Sequence, residues 1–167
     1  MKRENVVVEK AFMYSNYFAL FEIEPAFNID LNELEKKYIA LSRQFHPDIN
    51  KGHCEKIINI NKAYKTLKSP LERAEYVLDL YNIESKEDNL NTEILHESME
   101  IREYLMSCDD FQFASKMIDE KIKDCMGILT NAFALKDFND ATSQVLRLKY
   151  LYKSFKEVKK NAANSNF

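Results

Sequence analysis

Apolar residues recur three and four positions apart along most of this chain, the spacing that gathers side chains on one face of an α-helix. Leu31, Leu34, Tyr38, Leu41 and Phe45 form one such stripe, opened by Asp30 as cap with Glu33 three residues on, a capping box. Pro47 disfavours helical geometry at His46 and offers no amide, so the stripe predicts a helix that stops at Phe45. After a loop containing Gly52, Ile57, Ile60, Tyr64 and Leu67 repeat the pattern. Two helices of similar length across a short loop predict an antiparallel hairpin.

Ahead of the hairpin, Tyr17 to Phe21 is an apolar run long enough for one or two helical turns from an Asn16 cap, before Pro25 breaks it. Behind the hairpin, Ser69-Pro70-Leu71-Glu72 is a helix start, with serine as cap, proline at the first helical position and glutamate at the third. Leu71, Ala74, Leu78 and Tyr81 are its expected buried face. The pattern then lapses from Asn82 to Asn91, the expected joint between two domains.

Three longer helical patterns follow, starting near Asn91 or Thr92, near Asp109 or Asp110, and near Asp137. The second runs Phe111, Ala114, Ile118, Ile122, Cys125, Leu129, Ala132, and the third Phe138, Ala141, Val145, Leu148, Tyr152, Phe155. Short connections predict an up-down-up bundle. The expected layout is all-α: a tail at 1–14, a first domain at 15–81, a linker at 82–91, a three-helix bundle at 92–160 and a frayed tail at 161–167.

Composition narrows the function. Two glycines leave little provision for hairpin turns or phosphate-binding loops, and 24 basic against 27 acidic residues make a mixed surface rather than a nucleic-acid-binding one. Cys54, Cys108 and Cys125 are scattered, without a Cys-x-x-Cys pair, and fit free thiols in a reducing compartment. No apolar run approaches a membrane span, and the three valines near the start are too short a core for a secretory signal. His53 and Cys54 would need ligands from elsewhere to hold a metal, and none stands at a convincing spacing. The lysines at 149, 153, 156, 159 and 160 read as a solvated face near a helix C-terminus.

Taken alone, His46-Pro47-Asp48 is equally a helix stop or a recognition element. Its position in the loop of a helical hairpin, followed by Ile60-Asn61-Lys62-Ala63-Tyr64 and Leu67, resembles the J-domain of co-chaperones that stimulate DnaK-class ATPases. Pro70-Leu71-Glu72-Arg73-Ala74-Glu75-Tyr76, Asn16 to Phe21, and Leu95 to Leu105 with Glu100-Ile101-Arg102-Glu103 extend the resemblance. Over roughly residues 16 to 160 the chain is similar to the HscB family, J-type co-chaperones of iron-sulfur cluster assembly. Ile49, where J-domains often have lysine, and a short loop up to Ile57 are departures.

The resemblance implies a co-chaperone without catalytic residues, cofactor or metal of its own, and with neither nucleic acid nor membrane among its partners. One expected partner is a DnaK/HscA-type ATPase chaperone, met by His46, Pro47 and Asp48 with Lys36, Lys37 and Arg43 as a basic approach. Proline fixes such a loop, aspartate accepts from a partner's arginine, and histidine donates while packing. The other is an IscU-type iron-sulfur scaffold protein. The helix from Thr92 carries a second stripe (Leu95, Met99, Arg102, Met106) beside its core stripe (Ile94, Ser98, Ile101, Leu105), by its pattern either a wide core face or a protein-binding patch. The resemblance implies that this face meets the scaffold, through Leu95, His96, Met99, Glu100, Arg102 and Glu103, with Tyr150 as neighbour. Animal relatives carry a cysteine-rich zinc module ahead of the J-domain, and a tail without cysteine fits a bacterial-type, cytoplasmic protein better than a mitochondrial one. The rival readings are a general J-domain co-chaperone with another client, a helical adaptor without ATPase stimulation and, weakest, a metal-dependent enzyme.

Overall fold

The computed structural model describes residues 16–46, 54–83, 91–108 and 110–164. The expected tail at 1–14, Pro47, Asp48, Ile49, Gly52, His53, most of the expected linker and the last three residues lie outside that range. Every regular element among the described residues is helical: α1 (Tyr17–Leu20), α2 (Leu31–Gln44), α3 (Cys54–Lys68), α4 (Pro70–Leu80), α5 (Thr92–Ser107), α6 (Phe111–Leu135) and α7 (Phe138–Asn164). The chain divides into two compact units, Met1–Val77 and Leu78–Phe167, a division that falls in α4 shortly before the polar stretch at 82–91.

In the first unit, Asn16 caps α1 by accepting from the Ala19 amide at 2.9 Å. Asp30 caps α2 by accepting from the amides of Asn32 and Glu33. Glu33 does not close the expected box. Its carboxylate turns to Lys37, at 2.7 Å one helical turn on. The α2–α3 hairpin is antiparallel, because Tyr38 meets Tyr64 and Asn61 while Phe45, further along α2, meets Lys56, further back along α3. Phe18, Phe21, Phe27, Leu34, Ile60, Ala63, Leu67 and Ala74 form its core. Leu31, expected inside, is 45% exposed, since the first turn of α2 begins before the hairpin partner covers it.

Arg73 is buried and holds this core together. It donates to the carbonyls of Phe27 and Leu67, tying the α1–α2 loop to the end of α3 from the start of α4. Ser69 caps α4 as expected, accepting from the Glu72 amide.

In the second unit α6 and α7 pack along most of their length, and α5 lies on α7 with much less shared surface. Asn91, Asp110 and Asp137 accept from amides in the first turns of α5, α6 and α7. The expected α6 stripe from Ala114 to Ala132 is buried. On α7 the buried set is wider than expected, adding Thr142, Leu146, Leu151 and Val158, because α7 is covered from two sides. The helix continues to Asn164, through most of the segment expected to fray. Tyr81 is not a core residue of α4: it is 48% exposed, just past the helix end, with its ring against Phe138.

Helices α1, α4 and α6 end the same way. Glu22, Asn82 and Lys136 adopt left-handed φ angles of 52°, 56° and 57°, and the following amides, of Ile23, Ile83 and Asp137, return to the carbonyls of Phe18, Leu78 and Ala132. These are Schellman endings built without glycine.

Candidate partner-binding surfaces

The first surface lies at the end of the α2–α3 hairpin where α2 stops and α3 starts. Phe45 ends α2 by donating its amide to the Leu41 carbonyl at 3.0 Å, and the Lys56 ammonium sits over its ring. The next residue, His46, is exposed where the chain leaves the helix. Behind it the hairpin is braced by stacked rings, Tyr38 on Tyr64 at 3.9 Å between centroids, with the Tyr38 hydroxyl donating to Asn61. Lys36 and Arg43 are exposed on one face of α2. Lys37 is committed elsewhere: it donates to the Glu22 carbonyl at 3.0 Å while pairing with Glu33, which ties α2 to the left-handed end of α1.

The second surface lies on α5. Ile94, Ile101 and Leu105 are buried in the seam with the bundle, whereas Leu95, Met99 and Met106 are 45, 56 and 82% exposed. Arg102 and Glu103 are exposed on the same side. His96 and Glu100 border it as an exposed pair, Nδ1 to Oε1 at 3.4 Å. Tyr150 is half-buried on α7 and lines the α5–α7 seam with Ile94, Ser98 and Ile101, on the side of Glu97 and Arg147 rather than beside Leu95 and Met99.

On the opposite flank of α5 stands an ion cluster that periodicity gave no sign of. Glu97 accepts from Arg147 of α7 at 2.7 and 3.0 Å and from Lys121 of α6 at 2.7 Å, and Arg147 also reaches Asp124 at 3.0 Å. The Arg147 guanidinium holds the Glu97 carboxyl down at about 2, against the resistance of partial burial, and Lys121 assists. Glu97 in turn raises Arg147 above its ordinary value. Beside the cluster, burial pushes the Cys125 thiol up to about 12, so it packs as a neutral donor to the Gln144 carbonyl. Among the described residues no three His, Cys, Asp or Glu side chains are grouped to hold a metal, and no helix is long and apolar enough to cross a membrane.

Two family models match this layout: a DnaJ domain over residues 16–76 and an HSCB C-terminal oligomerisation domain over residues 90–159. The co-chaperone protein HscB homolog of Neisseria meningitidis is 36% identical over 162 residues, 86% of this chain and 97% of that protein. The chain belongs to the HscB family. The HscB homolog of Vibrio cholerae is 33% identical, over 87% of this chain and 95% of its own length. Solved structures agree: HscB from Vibrio cholerae matches with a TM-score of 0.81 at 30% identity, covering 89% of this chain and 98% of that one. The human HscB co-chaperone matches with a TM-score of 0.82 at 27% identity, covering 88% and 82%.

The all-α HscB architecture, a J-domain followed by a C-terminal helical domain, is thus the one the sequence resemblance implied, and the family is one of co-chaperones rather than enzymes. Of the expected chaperone-facing residues, the structure brings Lys36, Arg43 and His46 to the exposed side of α2 and its end, and ties Lys37 back toward α1. Pro47 and Asp48 lie outside the described residues. Of the residues expected to face the scaffold, Leu95, His96, Met99, Glu100, Arg102 and Glu103 are exposed on α5, whereas Tyr150 lies apart from them in the α5–α7 seam.

Proposed function

We propose that this HscB-family chain stimulates the ATPase of a DnaK/HscA-type chaperone and brings an IscU-type iron-sulfur scaffold protein to it, assisting cluster assembly and transfer. The J-domain loop with His46, Pro47 and Asp48 meets the chaperone, whose own residues carry out hydrolysis. Lys36 and Arg43 steer the approach, and Lys37 adds a charge partly neutralised by Glu33. Leu95, His96, Met99, Glu100, Arg102, Glu103 and Tyr150 meet the scaffold. Holding both partners on one chain raises the scaffold's local concentration at the chaperone, so that hydrolysis traps it. The bacterial relatives and the free cysteines Cys108 and Cys125 support a cytoplasmic setting.

The observation that carries this reading is the pair Leu95 and Met99, two large apolar side chains left about half exposed on a charged rim in a chain of the HscB family. The test is steady-state ATPase of a DnaK-class chaperone with this protein, with and without a scaffold. Stimulation that His46→Gln abolishes, and that the scaffold enhances, is the expected result. Stimulation indifferent to the scaffold would make this a J-domain co-chaperone with another client, and no stimulation at all would leave a helical adaptor.

A further inference from the structure

Helix α5 carries two apolar stripes of nearly equal weight. Ile94, Ile101 and Leu105 are buried in the seam, while Leu95, Met99 and Met106 point outward. Each stripe offers three large apolar side chains, so transfer from water alone scarcely distinguishes them. The stripes are separated by about 100° around the helix axis, one residue's worth of rotation. The backbone of α5 approaches the bundle closely at far fewer points than those of α6 and α7 approach each other, so backbone packing constrains its roll less.

The charged contacts are what distinguish the two orientations. Glu97 lies on the flank of the seam opposite Leu95 and Met99. Both carboxylate oxygens are occupied, one by Arg147 alone and one by Arg147 together with Lys121. Arg147 and Glu97 are only 16 and 19% exposed, so neither is readily served by water in place of the other. Rolling α5 to bury Leu95 and Met99 would swing Glu97 out of the cluster and strip Arg147 of its bidentate partner, leaving the partly exposed Asp124 as its remaining acid.

We infer that Glu97, gripped by Arg147 and Lys121, is a positioning residue that sets the rotational register of α5 and so keeps Leu95 and Met99 on the outside. Resting on the proposed scaffold reading, this makes Glu97 a determinant of scaffold binding through the register in which it holds Leu95 and Met99. A part-buried polar contact chooses between two apolar packings, a role for which polar contacts of fixed partner are well suited.

The test reads accessibility directly in the full chain. A cysteine introduced by Met99→Cys is labelled with iodoacetamide, and site-resolved mass spectrometry separates it from Cys54, Cys108 and Cys125. Adding Glu97→Gln is expected to slow labelling at position 99 by about threefold or more, as the rolled register gains population. Loosening or unfolding of the helix can only speed that labelling, so an unchanged or faster rate in a folded protein overturns the inference. Should Glu97→Gln not fold, Lys121→Met, which removes one cation and keeps the Arg147 pair, is expected to slow labelling by a smaller factor, and no slowing again overturns it. Titration of the unsubstituted chain with the scaffold is read separately. Slowed labelling without scaffold binding by the parent would leave the register inference standing and the functional proposal refuted.

Discussion

Arg73 donates through Nε to the carbonyl of Phe27 at 2.7 Å and lays its guanidinium over the ring of the same residue, 5.2 Å from the centroid. A second donation, at 2.6 Å, goes to the carbonyl of Leu67, one of the last in α3 and without a helical partner of its own. Replacing Arg73 by methionine keeps much of the volume and removes both donors from buried carbonyls, each worth about 1–3 kcal/mol when left unsatisfied. A loss of about 3 kcal/mol is expected for Arg73→Met in urea unfolding followed by circular dichroism. A loss below about 1 kcal/mol would show that water replaces the clamp.

Lys136 ends α6 with a φ of 57°, and the Asp137 amide returns to the Ala132 carbonyl at 2.9 Å. Holding a residue with a Cβ in this region costs roughly 1–2 kcal/mol, which glycine avoids. Part of that gain is offset by the extra freedom glycine gives the unfolded chain. Lys136→Gly is therefore expected to raise the unfolding midpoint, by the equivalent of about 0.5–1 kcal/mol. A lowered midpoint would show that the lysine side chain contributes more than its backbone geometry costs.

Helix ends of this kind mark where the sequence became hard to read. The signal for a left-handed cap is glycine or asparagine, and of the three such positions only Asn82 carries one. Helix faces were legible wherever one helix packs on one neighbour, as along α6, because a single contact surface leaves a single stripe. On α7 that logic failed, since two neighbours bury two stripes and Leu146, Leu151 and Val158 join the core. The two stripes of α5 were legible, but their pattern alone left the second as either core or binding face, and the family resemblance chose the exposed side that Leu95 and Met99 take. The contact between Glu97 and Arg147 was not legible, since they are 50 residues apart and nothing local to either pairs them.

Exposure decides what the outer stripe of α5 contributes to folding. Leu95 and Met99 are each about half exposed, so truncating them removes little buried surface, and surface changes of this kind usually stay within about 0.5 kcal/mol. The double substitution Leu95→Ala with Met99→Ala is expected to leave the unfolding midpoint nearly unchanged and to weaken scaffold affinity at least about tenfold, equivalent to about 1.4 kcal/mol. Calorimetric titration measures the second quantity. Intact affinity would remove the scaffold from this face, and a large drop in stability would make the stripe part of the core.

The Glu97 cluster gives the second unit a definite acid dependence. The carboxyl is held at about 2 in the folded protein, against an ordinary value of 4.5, chiefly by hydrogen bonds from Arg147 and next by those from Lys121. The groups facing it are those two cations, the second acid on Arg147, Asp124, and the neutral thiol of Cys125. A carboxyl depressed on folding binds fewer protons in the native state than in the unfolded one, so its contribution is complete above the ordinary value and fades as pH falls toward the folded one. The stability difference between the parent and Glu97→Gln is thus expected to be level from pH 7 down to about 5. It should then shrink steadily toward pH 2, as read from urea midpoints at each pH. A difference that grows on acidification, or stays constant across that window, would mean that Glu97 is not ionised against Arg147 in the folded chain.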